Sequence, residues 1–156
     1  KANVIRYRGA AAKFADACET CLASDYQNED EDLAIIACGP MLPEAMRAAY
    51  ILKEEYGFET RVVNIHTVKP IDREAIVRAA EETGIVLTAE EHQTGGFGGL
   101  VAPVILQECA RSVKMEMVGV PDTFGKSGLP WQLMKYYGLT AEHIAQRAKA
   151  LCDQRD

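Results

Sequence analysis

The chain contains 156 residues, 48% of them hydrophobic and 26% charged, and this composition is typical of a folded protein rather than a disordered one. One domain of this size buries about two thirds of the surface that its unfolded chain exposes, so we predict a single domain over residues 1–156. The 17 basic and 23 acidic residues give a net charge of -6, which argues against nucleic acid or an anionic membrane surface as the main partner.

The apolar runs and the cysteines limit the class of protein further. No apolar run approaches the roughly 20 residues of a membrane-spanning helix, and no signal-type segment opens the chain. We therefore expect no membrane partner and a cytoplasmic location. The 5 cysteines are an odd and scattered set, which favours reduced thiols over a disulfide framework.

The amino-terminal part of the chain predicts a strand, a helix and a loop. Residues 3–8 alternate apolar and polar side chains, as an edge or hairpin strand does. Residues 10–23 are rich in helix formers, and Cys18 and Cys21 fall on one side of the predicted helix, so we interpret this pair as structural. Residues 24–32 are rich in acidic side chains and predict a solvated loop, the least ordered part of the chain.

A regular alternation of strands and helices follows. Residues 33–38 are apolar on both faces, which is typical of a central parallel strand. After them we predict a helix over 42–56 ended by Gly57, a strand over 59–65, a helix over 73–83 capped by Asp72 and closed by Gly84, and a strand over 84–87. This order implies right-handed crossovers. We therefore predict an α/β fold with three αβα layers and a mostly parallel sheet of about five strands, one of them an antiparallel edge strand.

The carboxyl-terminal part predicts more elements of the same kind. They are a helix over 100–113 with Pro103 in its first turn, a strand over 115–120, a long turn over 121–130, and helices over 131–137 and 141–152. We expect Thr140 to be the N-cap of the last helix. No internal repeat and no linker divides the sequence.

The stretch from Thr88 to Leu100 is the candidate functional segment. A polar, glycine-rich turn between a strand and a helix is where α/β proteins place ligands or partners. Its glycines do not give the Gly-x-Gly-x-x-Gly pattern of a dinucleotide site, and no Gly-Lys-Ser/Thr follows them as in a P-loop. They do allow the backbone to approach an anion or another protein segment closely.

Three side chains at the start of this stretch could perform acid–base chemistry. They are Glu90, Glu91 and His92, and paired carboxylates beside a histidine can separate their pKa values. Consecutive strand residues point to opposite sides, so only one of the two carboxylates can share a cleft with His92. The open interpretations are catalysis, contact with a partner or anchoring of the loop, and exposure to solvent.

His66 and Lys69, at the end of the preceding strand, are expected to lie near this stretch. The alternative is that they form a strand-exit turn, fixed by Pro70 and capped by Asp72. The candidate interface or anion-binding loop therefore comprises Glu91, His92, Thr94, Gly95, Gly96, Gly98, Gly99, His66 and Lys69.

Four blocks of the sequence carry a family resemblance, and they are residues 32–39, 61–72, 88–99 and 124–140. In this order they resemble the C-terminal domain of the transketolase family. That family includes transketolase, 1-deoxyxylulose-5-phosphate synthase and the beta subunits of 2-oxoacid dehydrogenases. The resemblance extends from residue 3 to residue 150 and is specific because all four blocks stand in the family's order.

The resemblance implies that the chain is part of an enzyme. Members of the family hold thiamine diphosphate and a divalent metal, Mg, between a pyrophosphate-binding domain and a pyrimidine-binding domain of two subunits. The metal motif and the activating glutamate belong to those domains and are absent from this sequence. The resemblance therefore implies no catalytic, cofactor-binding or metal-binding residue here. The expected partners are those two domains in a homodimer, and Glu91 and His92 belong only to a shared loop motif.

The expected function is that of a C-terminal assembly and regulatory domain in a thiamine-diphosphate-dependent, transketolase-like enzyme. Such an enzyme transfers two-carbon ketol units between sugars, and the domain alone is expected to be inactive. The alternatives are a domain of a 2-oxoacid dehydrogenase beta subunit and a stand-alone module that binds a small anion at Gly95 to Gly99. The predicted helix and acidic loop over residues 10–32 depart from the family pattern.

Overall fold

The protein contains a six-stranded mixed sheet with helices on both faces. The structure, a computed structural model, describes residues 1–154, so the last two residues of the predicted domain lie outside the described residues. The strands are β1 (Asn3–Tyr7), β2 (Cys18–Leu22), β3 (Leu33–Ala37), β4 (Thr60–Asn64), β5 (Ile85–Gln93) and β6 (Lys114–Val120). The helices are α1 (Leu42–Tyr56), α2 (Arg73–Thr83), α3 (Gly98–Glu108), α4 (Pro130–Tyr136) and α5 (Ala141–Cys152).

The sheet has the order β2-β1-β4-β3-β5-β6. Strands β4, β3, β5 and β6 are parallel to one another, whereas β1 is antiparallel to both of its neighbours. The predicted α/β class and the mostly parallel sheet with an antiparallel strand at one side are confirmed. The predicted number of about five strands was one too low, because β2 was not foreseen.

The three predicted layers arise from the burial of β3. All five of its residues are fully buried, so the strand needs a helical layer on each face. The core of one face packs α1 and α5 against the sheet, and the core of the other face packs α2 and α3 against it. Helix α1 ends at Gly57 with φ 73°, and α2 begins where the Asp72 carboxylate accepts a 3.2 Å hydrogen bond from the backbone N–H of Ala75.

The predicted helix over residues 10–23 was wrong. This segment forms a 3₁₀ turn at Phe14–Ala17 and then β2, which pairs with β1 from Cys18 opposite Tyr7 to Leu22 opposite Asn3. Antiparallel pairing with the preceding strand β1 overrides the helix propensity of the alanines. Cys18 and Cys21 consequently do not share a helical face: Cys18 packs against the core on the α1 side and Cys21 against the core on the α2 side.

The acidic loop over residues 24–32 is largely exposed, as predicted, except at two side chains. Tyr26 and Glu31 are buried, with 5% and 4% of their surface exposed. Glu31 forms ion pairs with Arg6 and Arg61, two arginines that are themselves buried in β1 and β4. The loop is therefore attached to the sheet by a buried charge network.

Helix and strand boundaries in the second half differ from the predictions at the end of β5 and at both ends of α3, which ends at Glu108 instead of Val113. Strand β5 continues to Gln93 instead of ending near residue 87, and α3 begins at Gly98, so Pro103 lies in its second turn on the exposed side. Thr140 takes the N-cap position of α5, but its hydroxyl meets the His143 ring at 2.8 Å rather than a backbone N–H. Within residues 1–154, no helix has the length and apolar character that crossing a membrane requires.

Candidate functional site

The glycine-rich loop lies at the carboxyl end of β5, between the centre of the sheet and its β6 edge. Ala89 of β5 pairs with Val118 of β6, and Gln93 is the next β5 residue to pair, with Val120. Three β5 residues therefore stand opposite the single residue Gly119, which makes a β-bulge. A side chain at Gly119 would lie 3.0 Å from Glu90 and from the Thr94 backbone, so it would crowd the bulge.

Glu90 holds the loop together from inside. Its side chain is completely buried, and its carboxylate accepts hydrogen bonds from the backbone N–H groups of Gly95 and Gly98, each at 3.2 Å, and of Phe97. A carboxylate is a strong acceptor for N–H groups at the start of a helix. The carboxylate is thus occupied in closing the loop onto the first turn of α3.

Glu91 and His92 are exposed, in contrast to Glu90. The prediction that the two neighbouring carboxylates point to opposite sides is confirmed, and only Glu91 is on the solvent side with His92. Thr94 is exposed, and both its backbone N–H and its hydroxyl donate to the carbonyl of Val120, at 2.7 and 3.1 Å. The outer rim of the loop is consequently polar and accessible.

The four glycines of the loop differ in why a larger residue would not fit at each position. Gly95 has φ 95°, a conformation that L side chains rarely adopt. A side chain at Gly96 would meet the Glu90 carboxylate at 2.8 Å, and one at Gly98 would meet Met117 at 2.7 Å and the Thr88 hydroxyl at 2.8 Å. Gly99 has open space around it. Three of the four positions are therefore needed for the closed loop.

We expect Gly98→Ala to lower the free energy of unfolding by about 1–3 kcal/mol, because the added methyl overpacks the contact with Met117 and Thr88. The matched control is Gly99→Ala, one residue further along α3, which should raise stability by up to about 1 kcal/mol because alanine favours helix. Urea denaturation of both variants measures the difference. Equal stability of the two variants would contradict the packing described for Gly98.

Cys38, at the carboxyl end of β3, lies near the loop carboxylates. Burial raises the pKa of its thiol, and the charges of Glu90 and Glu91 raise it further. The thiol is therefore protonated at neutral pH and is a poor nucleophile.

His66 and Lys69 lie at the same end of the sheet, but β3 separates their strand from β5. The His66 ring donates through Nε2 to the carbonyl of Lys1 at 2.7 Å, which leaves Nδ1 to accept from the Thr67 hydroxyl at 2.8 Å. Asp72 closes the turn by accepting from the backbone of Ala2 at 2.7 Å. These contacts form a strand-exit turn beside a cleft of about 270 Å³.

Glu90 is the residue that the candidate list omitted. Its position between the apolar run of residues 85–87 and a glycine-rich helix start is the signal that could have identified it, because the first N–H groups of a helix need an acceptor from outside the helix. Across residues 1–154, no group of three or more His, Cys, Asp or Glu side chains is placed to hold a metal ion.

The fold and the loop define a class of protein: a three-layer α/β domain whose glycine loop is closed from within by a buried glutamate. Residues 23–144 match the family model described as transketolase, C-terminal domain. The chain belongs to this family.

Three proteins with similar sequences support the assignment to this family. A putative transketolase C-terminal section of Methanocaldococcus jannaschii is 45% identical over 76% of this chain and 36% of its own length. A 6-deoxy-6-sulfo-D-fructose transketolase subunit of Clostridium sp. is 40% identical over 82% of this chain and 39% of its own length. A 1-deoxy-D-xylulose-5-phosphate synthase of Desulforudis audaxviator is 38% identical over 78% of this chain and 19% of its own length. The chain thus spans less than half of each relative.

Solved structures show the same fold. A split-gene transketolase in an inactive beta4 tetramer is 40% identical, with a TM-score of 0.74 over 83% of this chain and 42% of that one. Transketolase from Leishmania mexicana, at 22% identity, has a TM-score of 0.56 over 81% of this chain and 17% of that one, and this likeness concerns the fold alone.

Proposed function

We propose that this chain is the C-terminal assembly domain of a thiamine-diphosphate-dependent enzyme of the transketolase type, in the cytoplasm. The enzyme would transfer two-carbon ketol units between sugars, and the cofactor and Mg would be held by the pyrophosphate-binding and pyrimidine-binding domains of a homodimer. The observation that carries the proposal is the family match over residues 23–144. The cofactor supplies the carbanion chemistry when bound, and the share of this domain is to hold the subunits around it.

The glycine loop supports a role in assembly rather than in catalysis. The buried carboxylate of Glu90 is fully used by backbone N–H groups, so it is not available to move a proton of a substrate. The same N–H groups are therefore not free for a small anion, which disfavours the stand-alone anion-binding module. Glu91, His92 and Thr94 remain on the outer rim, where they can contact a partner domain.

The alternative is a domain of a 2-oxoacid dehydrogenase beta subunit. Such an enzyme would decarboxylate a 2-oxoacid instead of transferring a ketol unit. The named relatives favour ketol transfer, because two of them are described as transketolase sections or subunits. Production of this domain together with the thiamine-diphosphate-binding domains of the same enzyme allows a direct test. A ketose donor and an aldose acceptor should give ketol transfer by the complex; release of CO₂ from a 2-oxoacid instead would contradict the proposal.

We expect His92→Ala to weaken the association with those cofactor-binding domains about tenfold, which corresponds to about 1.4 kcal/mol, since it removes one contact from the loop rim. The control is Gln146→Ala, an exposed position on α5, which should leave the affinity unchanged. Calorimetric titration measures both affinities.

Thiamine diphosphate titrated into this chain alone should give no binding, and tight binding would show that the cofactor site has been placed in the wrong domains.

A further inference from the structure

A cleft of about 680 Å³ lies between α1, α4 and the start of α5. Small-molecule sites in proteins are typically of about this size. The three helices each contribute charged or aromatic side chains to its lining, and these are Glu44, Arg47, Trp131, Lys135, Glu142 and His143. No residue of the glycine loop lines this cleft, so it is separate from the candidate site described above.

Trp131 provides an aromatic surface in the cleft. It is the only tryptophan of the chain, and 63% of its surface is exposed. An indole ring combines a flat apolar face with one N–H donor. Lys135 follows four residues later on α4 and therefore lies on the same side of the helix. The α4 side of the cleft thus presents an aromatic face beside an ammonium group.

Glu44 fixes the opposite wall of the cleft. One of its carboxylate oxygens accepts a hydrogen bond from the Arg47 guanidinium, and the other accepts from the backbone N–H of Ala141 at 2.8 Å. Glu44 thereby ties α1 to the start of α5, and both of its oxygens are engaged within the protein. The bond to Glu44 uses one of the five N–H groups of Arg47, which is exposed, so this side chain can also donate to a ligand.

The start of α5 adds hydrogen-bonding groups of a different kind. The backbone N–H of Glu142 and the Thr140 hydroxyl donate to the Glu142 carboxylate and hold its pKa below the usual value, so it is a charged acceptor at neutral pH. His143 meets the Thr140 hydroxyl through Nδ1 at 2.8 Å. This contact orients the ring, and its Nε2 can serve as a donor or as an acceptor for a further bond.

The formal charges of the cleft cancel, because Arg47 and Lys135 are balanced by Glu44 and Glu142. An anionic or a cationic ligand is favoured by a cleft with an excess of the opposite charge, which this cleft lacks. We propose that the cleft binds a neutral sugar. The hydroxyl groups of a sugar donate as well as accept, and its C–H face can pack on Trp131. This site is additional to the proposed reaction centre, which would lie in the cofactor-binding domains.

Trp131 fluorescence tests the proposal directly, because the chain has no other tryptophan. Titration with D-fructose, D-glucose and D-ribose should give a saturable shift of the emission to shorter wavelength for at least one sugar, since the sugar replaces water at the indole. Inorganic phosphate and adenosine should give no saturable shift. Absence of a shift with all three sugars would overturn the proposal, and so would saturable binding of phosphate or adenosine.

Variants test whether the sugar binds in this cleft. Trp131→Ala should weaken sugar binding at least about tenfold, measured by saturation-transfer NMR of the sugar, which does not depend on the tryptophan. The control is Tyr136→Ala, which removes an aromatic side chain of 60% exposure from the same helix but outside the cleft and should bind like the unchanged chain. Equal affinities of the two variants would overturn the proposal.

A further measurement distinguishes a ligand site from a contact between domains. Trp131→Ala should leave the association with the thiamine-diphosphate-binding domains unchanged, as measured by calorimetric titration. If the variant weakens that association about tenfold, the cleft is an interdomain contact and the proposal is overturned. Ketol transfer is not read in any of these tests, so failure of the proposed reaction remains distinguishable.

Discussion

Replacement of Glu31 by glutamine is expected to lower the free energy of unfolding by about 3–5 kcal/mol, which is the usual effect of removing one member of a buried ion pair. The Glu31 side chain has no exposed surface, and its carboxylate accepts from Arg61 at 2.7 Å and from Arg6 and Tyr26. Arg6 and Arg61 are 3% and 1% exposed, so neither can recover its lost partner from water. Arg6 keeps its ion pair with Glu59 and Arg61 keeps its ion pair with Glu82, so the variant would leave part of the buried positive charge without compensation.

The same network predicts how stability depends on pH. Burial opposes ionisation of Glu31, but the hydrogen bonds from Arg61 and Tyr26 outweigh it and lower the pKa from its ordinary value of 4.5 to about 2. Because the folded state binds the proton less readily than the unfolded state, the contribution of Glu31 is complete above pH 4.5 and is lost as the pH falls towards 2. Glu31→Gln should remove this part of the acid dependence.

Urea denaturation at neutral pH and at pH values below 4.5 measures both effects. The control is Glu29→Gln, in the same loop, because Glu29 is an exposed partner of Arg8 and should contribute less than about 1 kcal/mol. A similar loss for the two variants would show that Glu31 is not the residue that attaches the loop.

The parallel part of the fold could be predicted from the sequence because its signals are local. Residues 33–37 are apolar on both faces, and Asp72 and Gly57 mark helix ends within a few residues of the elements that they end. The segment over residues 10–32 could not be predicted in the same way. Its strand exists because it pairs with β1, and its loop is ordered because Glu31 meets Arg6 and Arg61, which lie 25 and 30 residues away. Contacts of this range leave no periodic pattern.

The place of the glycine loop between β5 and α3 was predicted, but its internal arrangement was not. The glycine content of residues 95–99 locates the loop after β5, and the alternation of a strand separates Glu90 from Glu91. Which of the two carboxylates is buried depends on the bulge opposite Gly119, because three β5 residues share one partner there. A bulge changes which side each residue faces, and the sequence does not give its register.

Replacement of Glu90 by alanine is expected to cost about 3–5 kcal/mol, because it leaves the N–H groups of Gly95, Phe97 and Gly98 without their acceptor in a buried site. Glu90→Gln should lose less, about 1–3 kcal/mol, since the amide oxygen still accepts but the charge is lost.

The neighbouring Glu91→Ala is the control for Glu90→Ala, because Glu91 is exposed and its removal should change stability by less than about 0.5 kcal/mol. Hydrogen exchange adds a local measurement. Relative to the unchanged chain, the amides of Gly95, Phe97 and Gly98 should exchange faster in Glu90→Ala by a larger factor than those of β4, which β3 separates from β5. If Glu91→Ala has the larger effect, or if the loop amides remain protected in Glu90→Ala, the loop is not closed by Glu90. The expected order of stability follows from burial: two adjacent carboxylates of the same chemistry differ because only one is held by backbone donors away from water.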